Sequence, residues 1–167
     1  MRIAAVIAVA AALLSGCGLL EEKGPTNDEV LKHSGLTVAT ARPIVADNFE
    51  LIWPTPLSVD PATVDVSRGC RSRMDSIRAE GPPWRPNYTR EIVNPSQEFI
   101  DRAMSNLEAM TSRGFTLVPS QNPDQDTVSR FYRDSRGFSV SSSLIRVGQH
   151  DQEVRFSMAS TSPCAAE

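Results

Sequence analysis

Histidine and cysteine are scarce. Two His and three Cys in 167 residues leave little material for a zinc cluster, and no metal ligand set is expected. No charge sign dominates: 17 Lys and Arg stand against 20 Asp and Glu, a formal net charge of -3. That balance excludes the basic footprint of a nucleic-acid-binding domain and a polybasic membrane patch. No apolar run approaches the roughly 20 residues that span a bilayer core about 30 Å thick. Gly-x-Gly-x-x-Gly, the P-loop, Gly-x-Ser-x-Gly and His-Glu-x-x-His are all missing, so no catalytic residue and no cofactor is assigned. There is no internal repeat. What is present is 40% hydrophobic residues, enough to build a core, on a length that suits one domain.

The amino terminus reads as an address. Met1-Arg2 is followed by an apolar run from Ile3 to Leu14 and then by Leu14-Ser15-Gly16-Cys17. One positive charge, a short apolar stretch and small residues at a cleavage point make a secretory signal peptide, here residues 1–16. Its last four residues resemble the lipobox of bacterial lipoproteins, in which the signal is cut before the Cys and that Cys is acylated. The resemblance implies that Cys17 becomes the lipidated first residue. Two acyl chains on a diacylglycerol meet the requirement for stable anchoring. The expected place is therefore the extracytoplasmic side of the cell membrane. With Cys17 taken as the lipid site, Cys70 and Cys164 remain. An exported compartment permits a disulfide between them, and they are too far apart in sequence for a Cys-x-x-Cys redox pair.

Residues 17–36 are polar and mixed and read as a tether, with a helical turn after Asn27 capped by Asn27 or Asp28. Residues 37–167 form the single domain. Val45, Phe49 and Ile52 in Ala39–Trp53 share a helix face, with Pro43 placed in the first turn and Pro54 and Pro56 stopping the helix. Ala62–Ser67 alternates like a short strand running toward Cys70. Pro95–Arg113 is the clearest helix. Asn94 is its N-cap, Gln97 completes a capping box, Phe99, Ile100, Ala103, Leu107 and Met110 form its stripe, and Gly114 closes it. Three strands follow, over Thr127–Tyr132, Phe138–Val147 and Gln152–Ser160, with Thr116–Val118 as a short edge. The expected fold class is α+β: a two-layer sandwich, an antiparallel β-meander covered on one face by one long and one shorter helix.

Lipobox, tether, helix, a strand ending in Cys70, a Pro-rich loop, a helix capped at Asn94-Pro95, and a meander closing on Cys164 together resemble the small actinobacterial, mycobacterial-type lipoproteins of the LppA-like kind. The likeness is one of layout over roughly residues 37–164. It implies location and fold and carries no chemistry with it.

Candidate sites are few. Asp124-Gln125-Asp126 matches one spacing of a calcium loop and lacks the rest, so it reads as a solvated connection. His33 lies in the tether and His150 in a hairpin turn. Ser139, Ser141, Ser142 and Ser143 read as the solvated face of a strand, and Trp53 as core. The remaining candidate is Gly81-Pro82-Pro83-Trp84-Arg85-Pro86-Asn87-Tyr88. Two aromatics in a rigid loop can present a binding edge, and Trp84 and Tyr88 can equally cap the open end of a small core. The function expected is a membrane-anchored, non-enzymatic binding or assembly module of the envelope, its partner an envelope protein, glycan or lipid; the alternative is an unrecognised envelope hydrolase.

Overall fold

The computed structural model describes residues 24–72, 79–119, 128–148 and 153–167. Three helices, α1 (Asn27–Ser34), α2 (Val38–Ile52) and α3 (Gln97–Ala109), accompany seven strands. These are β1 (Gly69–Arg71), β2 (Glu80–Trp84), β3 (Asn87–Val93), β4 (Thr116–Leu117), β5 (Arg130–Arg133), β6 (Ser139–Val147) and β7 (Glu153–Thr161). β3, β7, β6, β5 and β4 lie side by side in that order, all antiparallel, and β1 pairs with β2 in a small second sheet. The class is α+β, with helices on one face of the larger sheet, as the sequence predicts.

Each helix begins where a hydroxyl meets an orphan N–H. Thr26, not Asn27 or Asp28, caps α1. The Glu29 N–H donates to its Oγ1, and Glu29 Oε2 in turn accepts from the Thr26 N–H at 2.8 Å. Those bonds from Thr26 hold the Glu29 carboxyl below its ordinary range. Thr37 and Thr40 make the same reciprocal box on α2. This box starts α2 early enough that Pro43 falls beyond the first turn, inside the helix.

α3 corrects the expected start. Ser96 is its N-cap, receiving the Phe99 N–H at 3.2 Å, while Asn94 stands at φ 50° in the left-handed region. The Asn94 carboxamide is used across the sheet instead, its Oδ1 accepting from the Val154 N–H at 2.8 Å. The helix ends in a 3₁₀ turn, Met110–Arg113, with Gly114 left-handed and the Phe115 N–H bonded to Met110 O.

Two further expectations change. Ala62–Ser67 is not a strand: Pro61–Thr63 is a 3₁₀ turn capped by Asp60, and Val64 is buried without regular pairing. The Pro-rich stretch is not a loop. It supplies β2 and, after Arg85-Pro86, β3, which is the edge of the larger sheet.

The core lies between α2, α3 and the sheet. Val45, Phe49, Ile52, Leu107, Met110, Phe138, Val140, Phe156 and Met158 are all fully buried there. Rings run through it in contact: Tyr88 edge-on to Phe49 at 4.7 Å, Phe49 stacked on Trp53 at 5.4 Å, Trp53 edge-on to Phe99 at 5.4 Å, and Phe99 to Phe156 at 6.3 Å. Such pairs add to the area they bury.

Residues 24–36, the end of the expected tether, are joined to the domain. Val30 is buried, and a Cβ on Gly24 would collide with the Cys70 carbonyl. Ala165 and Ala166 run between two neighbours. Ala165 exchanges both backbone bonds with Trp84, at 2.8 and 2.9 Å. Ala166 donates to Leu36 O at 2.9 Å and accepts from the Val38 N–H at 2.8 Å. No described helix is long and apolar enough to cross a membrane.

Candidate ligand-binding site

Strand residues alternate between two faces. On β6 and β7 the even positions Val140, Ser142, Phe156, Met158 and Ser160 are buried. Ser142 therefore departs from the expected solvated serine face: its hydroxyl points inward and donates to Val128 O at 2.6 Å. Ser139 is buried as well. The odd positions look away from the helices. Register places Arg133, Ser139, Thr161 and Asn87 in one row across β5, β6, β7 and β3, and Phe131, Ser141, Ala159 and Thr89 in the next.

These two rows line an open trough of about 530 Å³; Arg133 stands on its β5 side, and Arg68, Arg85, Gly137 and the segment Ser162-Pro163-Cys164 complete its walls. Small side chains on the floor create the hollow. Its polar groups are hydroxyls and one carboxamide: Asn87 Oδ1 accepts from Thr161 Oγ1 at 3.1 Å and Thr89 Oγ1 at 3.3 Å. The end wall is set by the β5–β6 turn. Asp134 accepts from the Phe138 N–H at 2.8 Å and from Arg136 Nε at 2.9 Å. Gly137 stands at φ 92°, where a Cβ would press on Pro163 at 3.2 Å.

Three guanidinium groups border the trough. The Arg85 N–H donates to Arg68 O at 2.8 Å, so these two stand together beside the β3 edge. Arg85 Nη2 reaches Cys164 Sγ at 3.6 Å. Arg133 stands on β5, its guanidinium 5.1 Å from the Phe131 ring centre. None of the three has a carboxylate within 4.0 Å among the described residues. The contrast is Arg155, on the same open face further along β7. Its Nε meets Glu153 Oε1 at 2.6 Å and its Nη1 meets Glu91 Oε1 at 3.6 Å. The hydrogen bond and charge of Glu153, and then the charge of Glu91, hold Arg155 more firmly protonated.

Cys70 and Cys164 form a disulfide with Cα atoms 6.0 Å apart. Trp84 and Tyr88, expected on one loop, sit on different strands and neither lines the trough. Trp84 is half-buried, its ring lying against the Gly81 backbone. Tyr88 is half-buried against Phe49. Cys17, Asp124, Gln125, Asp126 and His150 lie outside the described residues. No group of His, Cys, Asp and Glu among the described residues is arranged to hold a metal ion.

The trough itself escapes the sequence reading. Ser139, Ser141, Ala159 and Thr161 show their shared parity, but Arg68 and Arg85 reach the site from segments outside the five-stranded sheet. No family model, curated protein or solved structure matches the chain.

Proposed function

We propose that the protein is an exported lipoprotein, anchored through Cys17 to the extracytoplasmic side of the cell membrane, and that it works as a non-enzymatic binding module of the envelope. The layout likeness to LppA-like lipoproteins and the amino-terminal signal support the anchor. The observation that supports binding is the trough. One face of the sheet is left bare by the helices and hollowed by small side chains, and its described lining offers hydroxyls and guanidinium groups with no carboxylate, imidazole or free thiol. Such a surface suits recognition of a polar ligand better than general acid–base or nucleophilic chemistry, which needs a titrating group placed near neutrality.

Two measurements on the full-length protein test this reading. Cys17→Ala abolishes labelling by a fatty-acid probe and releases the protein from the membrane fraction; unchanged labelling and retention refute the anchor. Hydrogen exchange with soluble cell-wall oligosaccharides protects residues 87–89, 131–133, 139–141 and 159–164. Protection over α2 and α3 alone, or cleavage of the added saccharide, refutes the binding module and favours a hydrolase.

A further inference from the structure

The geometry points to a ligand class for the trough: a saccharide or polyol chain bearing at least two anionic groups, phosphate or carboxylate, bound with one anion at each long wall. This inference rests on the binding-module reading above.

The protein is acidic overall, with a net charge of -3, yet the described residues lining the trough include three arginines and no acid. A single sign gathered in a concave site focuses potential and draws the opposite charge. On the same face but outside the trough, Arg155 is instead neutralised by Glu153 and Glu91. Arg is also the side chain whose fork matches carboxylate and phosphate oxygens in pairs.

Arg68 and Arg85 stand at the β3 side, and Arg133 is on β5, with β7 and β6 between them. Three strand-to-strand steps separate the β3 and β5 backbones by about 14 Å. A single small anion meets one wall, whereas a chain of several units reaches both.

Asn87, Thr89, Ser139, Ser141 and Thr161 provide donors and acceptors across the whole width, and Phe131 provides one apolar ring. Hydroxyl-rich chains are matched by such surfaces. Purely apolar chains are not, because they would strand these groups without water.

The disulfide fixes one wall. Cys164 lines the trough beside Arg85, and the backbone bonds between Trp84 and Ala165 hold the residue before Arg85 in place. The backbone that carries Arg85 is thus placed before a ligand arrives, which lowers the ordering cost of binding.

The test titrates detergent-solubilised full-length protein with trigalacturonate, with its trimethyl ester, with a glycerol-phosphate trimer and with inorganic phosphate. Calorimetry gives affinity and hydrogen exchange gives location. The inference expects one or both trianions to bind in the trough, the ester and inorganic phosphate to bind at least about tenfold more weakly, and affinity to fall as salt screens the charges. The tighter trianion tells carboxylate from phosphate. Arg133→Glu and Arg68→Glu, one on each wall, each weaken binding by about tenfold or more, while Arg155→Gln changes it less than about twofold. Equal binding of ester and acid, with trough protection, overturns the anionic class and leaves the binding module standing. Trianion binding that is insensitive to both reversals overturns the two-wall placement. No protection of the trough by any of the four probes overturns the inference, and the cell-wall oligosaccharide experiment above then decides separately whether the module binds there.

Discussion

The two faces of the five-stranded sheet are built from the same strands one residue out of step. The covered face presents Tyr132, Val140, Phe156 and Met158 to α2 and α3, all buried. The open face presents Phe131, Arg133, Ser139, Ser141, Ala159 and Thr161. The covered face fills its space with rings and branched chains, and burial there stabilises the fold. The open face leaves its space empty by using side chains too small to fill it. Because the strand period is two, both chemistries fit on one backbone, and a one-residue slip would exchange them completely. Asn94 and the Asp134 turn, each bonded to a named backbone N–H, pin that register at opposite ends.

The covered face is the more sensitive of the two to substitution. Phe49→Ala removes a ring that touches both Trp53 and Tyr88 and should cost about 3–5 kcal/mol by denaturant unfolding. A loss under about 1 kcal/mol would mean that the helices do not carry the core as described. Replacing Cys70 and Cys164 together by Ser opens a closure of 94 residues and should cost about 2–5 kcal/mol. The effect should vanish when wild type is measured under reducing conditions, and persistence of the difference would assign it to packing. The smallest effect belongs to the open face. Ser141→Ala and Thr89→Ala should each stay within about 0.5 kcal/mol of wild type. A larger destabilisation would show that the trough floor is structural.

Much of this was legible in the chain because local signals agreed. α3 carries Ile100, Ala103, Leu107 and Met110 at helical spacing with Gly114 beyond, and β7 alternates cleanly through Phe156 and Met158. β3 was hidden for a physical reason. Its covered-face positions are Tyr88, Arg90 and Ile92, and Arg90 interrupts the apolar alternation. The Arg90 guanidinium lies 5.0 Å from the Trp53 ring centre, so a charged residue takes a core-side place by covering an aromatic. At the start of α3, Asn94 and Ser96 are both residue types that cap helices, and the partner that claims Asn94, the Val154 N–H, is 60 residues away. The trough depended on tertiary placement altogether. Arg68 and Arg85 owe their proximity to the pairing of β1 with β2, which the Arg85 N–H bond to Arg68 O extends, between segments that no periodicity links.

The disulfide has a consequence in mechanics. Gly24, where the described chain enters the fold, lies against the carbonyl of Cys70, while Cys164 forms part of the trough wall. A pull on the chain at Gly24 runs along α1 to Leu36 and Val38, and touches the disulfide only through the contact with Cys70. Beside it, the backbone bonds of Ala165 and Ala166 to Trp84, Leu36 and Val38 share the load across two neighbouring segments. α2, which carries Phe49 into the aromatic core, follows directly after these bonds. Those bonds therefore stand between a pull at the amino-terminal side and the burial that stabilises the domain, and the disulfide holds in place the carboxy-terminal segment that makes them.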